Sequence, residues 1–422
     1  MFIEDEELFF VDYEDNIDKT ILYAPLKSYL ALITKDTMKG MISEDSSLAK
    51  NQVLDRIKAR PKIDVKKILT SIQNSNPQLT IAITDNCNLR CVYCHASAGE
   101  KHKKKSMNKS MIDSIIKTFF ENINKTSEKV KIEFTGGEPT YNYNNLRYAI
   151  TKAKEYALPK NISCIFSMPT NGYYGKPVRE FINSNFSSIS LSFDGPAFIH
   201  NKHRPLANGK PSFDTVFETA KYFYDAEFSM AFRVTVSDFS INYLKEIIDF
   251  FSFNFPNTSI GLEHLTLHGR ALKNMDIGSP SKKKFADALL SIYQYVEGKP
   301  IKIVNSAASE YDILRPVFCS AVGTPNWTVT VDGDILSCAR DNAPEQFYFG
   351  RFDFLTGNVS IDENKVKIIR EMNVFNYVEC EDCFAKYHCA GDCADRRLSK
   401  ETNCDSIRKI GKYILNKKIN EN

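Results

Sequence analysis

The sequence predicts an α/β protein built in three parts, and three observations predict it. Between residues 79 and 267, six strand-like runs alternate with helical patterns. Ahead of them stands a shorter unit, a small α+β domain in which strands come first and helices follow. Behind them the chain loses its apolar periodicity and gains thiols. At 422 residues it exceeds one average domain, and the three patterns place boundaries at 1–75, 76–305 and 306–422.

In the first unit LFFVDY, TILYAP and YLALIT read as short strands, and NQVLDRIKAR and VKKILTSIQ as helices with one apolar face. In the second, strands are expected at LTIAIT (79–84), VKIEF (130–134), ISCIFSM (162–168), SISLSF (188–193), SMAFRVTV (229–236) and SIGLEHLTL (259–267). Helices are expected at MIDSIIKTFFEN, NLRYAITKAKEYA, FDTVFETAKYFYD and YLKEIIDFFSF. In the first of these, Ile112, Ile115, Ile116, Phe119 and Phe120 recur at three- and four-residue spacing and leave one polar face. Such alternation implies parallel strands joined by crossover helices, closed or nearly closed as a (β/α)6 barrel fragment. KKKFADALLSIYQYV adds a helix before the pattern breaks near residue 300. Few long periodic elements are expected beyond it, so order there needs another source, and bound metal is the direct candidate.

A formal charge of +3 is small for this length and excludes a broad nucleic-acid surface. The run KHKKK at 101–105 is either a solvated loop or a steering patch for an acidic peptide. MFIEDEELFF carries acid where a secretory leader needs positive charge, and no run reaches the roughly eighteen apolar residues of a membrane span. The expectation is a cytoplasmic protein with no membrane or nucleic-acid partner. In a reducing compartment eleven cysteines do not read as disulfides; their clustering reads as metal or redox chemistry.

Cys87, Cys91 and Cys94 lie in CNLRCVYCHA, after the first barrel strand, at the face where (β/α) sites collect. Three thiolates from one loop can hold three irons of a [4Fe–4S] cube and leave the fourth for a substrate or cofactor. Zinc is the alternative. It prefers four ligands, and His95 would have to reach back over its neighbour Cys94. The C-x3-C-x2-C spacing, with Tyr93 before the last cysteine, resembles the signature loop of the radical S-adenosylmethionine (SAM) superfamily. The resemblance implies a TIM-like partial barrel, SAM chelated by the open iron, and reductive cleavage of SAM to a 5′-deoxyadenosyl radical.

A second motif, FTGGEPT, follows the second strand and contains Gly136, Gly137, Glu138 and Pro139. Two glycines let backbone approach a ligand closely, and a carboxylate beside them can accept from an ammonium. The family resemblance gives Ser192 to the SAM ribose and Arg204 to the methionine carboxylate. It gives Tyr93, Thr170 and Asn171 to the SAM pocket as well, and packs Leu265, on the sixth strand, against the adenine. A strand leucine also faces a core by default. Asp194 reads as a cap of the next segment.

The C-terminal part holds Cys319, Cys338, Cys380, Cys383, Cys389, Cys393 and Cys404. Zinc ribbons and iron–sulfur clusters both suit such spacing. Beside the upstream motif, the array resembles the SPASM domain, a carrier of auxiliary [4Fe–4S] clusters. That resemblance implies three clusters in all: Cys380, Cys383, Cys389 and Cys404 hold the distal auxiliary one, and Cys319, Cys338 and Cys393 the nearer. The chain departs from fully ligated relatives, because no cysteine occurs between Cys164 and Cys319. The nearer cluster therefore has an open iron or takes an oxygen ligand such as Glu310 or Asp312. Cys164, within a strand pattern, reads as a small buried apolar residue.

The resemblance implies a radical SAM oxidoreductase that installs a C–S, C–C or C–O crosslink in a ribosomally made precursor peptide, with flavodoxin or ferredoxin as reductant. One alternative is an anaerobic sulfatase-type maturase forming formylglycine; those enzymes place an aspartate where Ala339 stands here, with Asp341 two positions on. Another is a peptide epimerase using Cys164 as hydrogen donor. The non-enzyme alternative is a metal-stabilised peptide-binding scaffold. The first 75 residues resemble winged-helix-like units that bind a precursor's leader by strand addition, with a plain capping domain as the other reading.

Overall fold

The structure is a computed structural model that describes residues 2–3, 7–43, 48–75, 78–100, 104–123, 128–273, 277–305, 311–324, 326–338 and 344–421. It opens with four antiparallel strands in sequence order: β1 (Phe2–Ile3), β2 (Leu8–Asp12), β3 (Lys19–Ala24) and β4 (Tyr29–Thr34). Helices α1 (Lys35–Ile42), α2 (Leu48–Lys58) and α3 (Val65–Gln73) follow. The period-two pattern of β3 decides what each face meets. Leu22 and Ala24 pack with Met41 and Ile57 of the helices. Ile21 and Tyr23 turn the other way, onto Tyr311, Ala385 and Cys389 of the thiol-rich part. The first unit is thus seated on the last.

Seven parallel strands then run in sequence order: β5 (Leu79–Thr84), β6 (Lys129–Gly136), β7 (Ser163–Thr170), β8 (Ser188–Ser192), β9 (Met230–Val236), β10 (Thr258–His264) and β11 (Ile301–Val304). The intervening helices are α4 (Lys109–Asn122), α5 (Tyr143–Ala157), α6 (Lys176–Asn185), α7 (Ala197–His203), α8 (Phe213–Asp225), α9 (Leu244–Asn254) and α10 (Lys282–Tyr295). Along β6, Val130, Ile132 and Phe134 are buried against the helices while Lys129, Lys131 and Glu133 face away. Full burial of each such apolar side chain contributes about 1.5–3 kcal/mol. The helix α6 was not expected, because only Ile182 of its ten residues is fully buried and its apolar stripe is correspondingly thin.

The thiol-rich part differs most from expectation. Rather than lacking regular elements, it continues the sheet. Strand β12 (Trp327–Val329) runs parallel beside β5, and β13 (Asp334–Leu336), β14 (Tyr348–Phe352) and β15 (Val359–Ile361) add antiparallel ladders. Each has only three to five residues, too few for alternation to register in the sequence. The result is an open mixed sheet of eleven strands flanked by helices, with β11 and β15 as its edges. Among the described residues no helix is long and apolar enough to cross a membrane.

Candidate active site

The loop after β5 carries the first three thiols, and the two motif glycines bring the end of β6 against it. Gly137 N donates to Thr84 O at 2.7 Å and Glu138 N to Asn86 O at 2.8 Å. A Cβ on Gly136, which has φ +131°, would lie 2.1 Å from Thr84 O, and one on Gly137 2.2 Å from Asn86 O. The close approach these glycines permit is therefore to the thiol loop itself.

Glu138 is buried and locks a third segment into place. Its Oε1 accepts from Thr140 N, Thr140 Oγ1 and Thr170 Oγ1 at 3.2, 2.8 and 2.9 Å, and its Oε2 from Asn171 N at 2.7 Å. Burial raises its carboxyl above the ordinary range, and these donors pull it back. Asn171 then extends Nδ2 toward Cys87 Sγ at 3.6 Å, and Leu89 N points to the same sulfur at 3.4 Å. Two arginines, both unmarked in the sequence reading, brace the thiol loop. Arg90 donates to the carbonyls of Cys87, Leu89 and Gly99. Arg270 donates to Cys91 O at 2.8 Å, Ala98 O at 2.9 Å and Glu100 Oε1 at 3.1 Å.

Asp194 does not cap the next helix, whose N-cap is Pro196 with no side-chain bond; its carboxylate is taken up by the site. Its buried carboxylate accepts from Arg204 Nε (2.9 Å) and Nη2 (3.2 Å), from His203 Nδ1 (3.1 Å), from Thr235 N (3.0 Å) and from the Tyr93 hydroxyl. The arginine and histidine hold it far below the usual carboxylate range in spite of burial. Tyr93 sits between Cys91 and Cys94 in sequence, so this one carboxylate ties the thiol loop to β8, α7 and β9. Leu265 falls just beyond β10 rather than on it; its N–H still bonds Val236 O at 3.1 Å, and its side chain packs with Tyr93 and Ala271.

A cavity of 470 Å³ opens at the carboxyl ends of the parallel strands, within the range of small-molecule sites. Cys87, Cys91 and Cys94 line it together with all the residues expected at SAM, from Tyr93 and the Gly136–Pro139 turn to Thr170, Asn171, Ser192, Arg204 and Leu265. Arg233, Thr235, Glu263, Thr328 and Leu336 line it too and were not anticipated; a single residue on a strand, polar or apolar, carries no spacing signal.

The donor set fits a positively charged cluster. Burial pushes the Cys87 thiol up to about 12 and Cys91 to about 11, so a cation is needed to hold them as thiolates. Two N–H groups already aim at the Cys87 sulfur. Among the described residues no three metal-binding groups converge on a single ion's position. Thiolates on separate corners of a cube need not converge on one point.

The other thiols have thiol neighbours. Burial raises the Cys319 thiol to about 12, with Cys393 and Cys338 as its thiol neighbours, although the residue as a whole is exposed. Cys389 is raised by burial and by Asp392, and then by Cys383, Cys380 and Cys404 around it. Asp312 is an exposed partner of Lys418, which argues against its serving as a cluster ligand. Glu310, Ala339, Asp341 and the first three residues of KHKKK lie outside the described residues. Cys164 packs on the core, its S–H toward Ala153 O at 3.7 Å, and is not part of the cavity wall.

Residues 81–251 match the model of the Radical SAM superfamily. A cysteine-type anaerobic sulfatase-maturating enzyme of Clostridium perfringens is 24% identical over 370 residues, 82% of this chain and 98% of that protein. The solved structure of native anSMEcpe with bound AdoMet and Cp18Cys peptide superposes with TM-score 0.63 at 19% identity, covering 82% of this chain and 99% of that one. Streptococcus suis SuiB bound to precursor peptide SuiA superposes with TM-score 0.52 at 14% identity, over 96% of this chain and 98% of that one. The family match falls on the segment that builds the thiol loop, the Gly136–Pro139 turn and the Asp194 network, and the cysteine-rich segment beyond it adds β12–β15 to the same sheet. Residues 81–251 thus form a radical SAM segment, and a cysteine-rich, SPASM-like extension follows it.

Proposed function

We propose that the protein oxidises a side chain within a peptide or protein segment, using SAM and a [4Fe–4S] cluster held by Cys87, Cys91 and Cys94. In this reading β5–β10 act as a partial (β/α)6 barrel, residues 76–305 form the catalytic domain, and residues 306–422 hold two auxiliary clusters. The nearer has three cysteine ligands. One observation carries the oxidative assignment. Leu336, two residues before Cys338, lines the same cavity as the first thiol loop, so the extension borders the reaction site.

Held by Cys87, Cys91 and Cys94, the cluster would supply one-electron reductive chemistry to SAM bound in the cavity. The chain's own residues position and shield. Glu138 fixes Thr170 and Asn171, Asp194 fixes Tyr93 and Arg204, and Ser192 and Leu265 border the space left for the nucleoside.

Oxidation of a peptide cysteine or serine to formylglycine is the first reading of the product. The sulfatase-maturating relative is matched over 98% of its length, and a solved relative holds a cysteine-named peptide. A crosslink in a ribosomally made precursor is the second, favoured by the first unit. The likeness to SuiB omits only 4% of this chain, about 17 residues, and so takes in most of β1–β4 and α1–α3. Strand β4 has no partner on its outer edge among the described residues, which suits pairing with an extended leader. Anaerobic incubation with peptides encoded beside the gene, followed by mass spectrometry, separates these. Conversion of one cysteine or serine to an aldehyde supports the first, and loss of two hydrogens per linkage supports the second. An unmodified peptide in the presence of SAM cleavage contradicts both.

A further inference from the structure

One face of the parallel sheet carries several polar side chains where a closed eight-stranded (β/α) barrel packs layers of branched apolar ones. Its positions include Thr80, Glu133, Ser167, Ser190, Ser192 and Arg233, each alternating with a residue buried under the helices. Arg233 stands at the level of the cavity. It pairs in register with Ser192 on one side and with Gly261, which has no side chain, on the other. Small neighbours leave its guanidinium room to extend into the open space, and it lines the cavity wall.

The other two arginines of the wall are committed. Arg204 is taken by Asp194, and Arg270 by Glu100 and two carbonyls. The backbone of Arg233 is held in the sheet, with its carbonyl accepting from Phe193 N at 3.1 Å, while its side chain makes no hydrogen bond or ion pair to any described residue. Glu133, on the same face, is raised above the ordinary carboxylate range by burial, which the nearby Arg233 guanidinium only partly offsets, and the two make no ion pair. A cavity that keeps one arginine fork unsatisfied beside the reacting centre is set up for an anionic group on its ligand.

We infer that Arg233 selects substrate segments carrying an acidic side chain close to the residue that reacts, by pairing its guanidinium with that carboxylate. The inference rests on the peptide reading above. It assigns Arg233 a positioning role in specificity, apart from the groups that hold SAM.

The test uses the anaerobically reconstituted, SAM-loaded protein and three fluorescein-labelled peptides of one Gly/Ser scaffold. Each has a central cysteine and, two positions on, Asp, Asn or Lys. Binding is followed by fluorescence anisotropy for the natural protein and for Arg233→Glu. The natural protein is expected to bind the Asp peptide about tenfold more tightly than the Asn peptide. Arg233→Glu is expected to reverse the order and gain affinity for the Lys peptide, a gain that misfolding cannot produce. The same order in both proteins overturns the inference while leaving the peptide reading intact. So does weakened SAM binding with an unchanged peptide order, which makes Arg233 a cofactor ligand. Failure of the natural protein to bind any of the three overturns the inference and counts against the peptide reading with it.

Discussion

Arg204 closes on Asp194 through two hydrogen bonds, Nε to Oδ2 at 2.9 Å and Nη2 to Oδ1 at 3.2 Å, with both side chains buried. The same carboxylate receives Tyr93 from the thiol loop and Thr235 N from β9. The pair therefore joins three separate segments of the site, at a point where neither charge has water to fall back on.

Replacing one partner should accordingly cost more than replacing both. Asp194→Ala is expected to lower unfolding stability by about 3–5 kcal/mol, since it strands a buried guanidinium. Asp194→Ala combined with Arg204→Leu should cost less than the sum of the two single changes. Urea unfolding of the anaerobic protein measures this cycle; strict additivity would contradict the pairing.

A pH dependence follows from His200, which is fully buried, accepts Asp194 N at Nδ1 (3.3 Å) and faces Ser212 Oγ through Nε2 (3.1 Å). Burial lowers it to about 3. Its folded value lies below the unfolded one, so below about pH 6.5 the unfolded chain binds the extra proton. Stability contributed by the neutral ring is complete above that pH and declines as pH falls toward 3, with a limiting slope of about 1.4 kcal/mol per pH unit. Asp194 is also held low, but its loss begins only below about pH 4. Unfolding curves between these two limits should flatten in His200→Asn, and an unchanged slope would contradict the assignment.

Glu138→Gln tests the clamp on the thiol loop. The carboxylate accepts four bonds and donates none, so an amide NH2 would face an existing donor. A loss of about 1–3 kcal/mol is expected, with weaker SAM binding in equilibrium dialysis because Asn171 is released. Unaltered SAM affinity would mean that the clamp does not reach the cavity.

Arg270→Ala removes three bonds that hold the segment from Cys91 to Glu100. Iron retention on exposure to a chelator should fall in this variant, while Arg270→Lys recovers only part of it, since an ammonium lacks the planar fork. Equal retention in all three proteins would dismiss the brace.

How much of this was legible in the sequence depended on distance along the chain. The helix α3 and the strand β5 fall at the residues their patterns mark, because local periodicity fixes them. The first thiol loop was legible because its three cysteines lie within eight residues, and the structure places all three in the cavity wall. Asp194 was misread because its partners, Tyr93, Arg204 and Thr235, come together only in the folded chain. Arg270 was invisible for the same reason: the loop it braces lies some 170 residues away. The ladders β12–β15 escaped because strands of three to five residues scarcely display alternation, and their order starts from β12 pairing with the edge of β5.

The most direct test of the radical SAM assignment is 5′-deoxyadenosine formation by the anaerobically reconstituted, dithionite-reduced protein given SAM. The unmodified chain should release the nucleoside, Cys91→Ala should release none, and Cys383→Ala should still release some. No nucleoside from the unmodified chain, or undiminished release from Cys91→Ala, would contradict a catalytic cluster in the loop after β5.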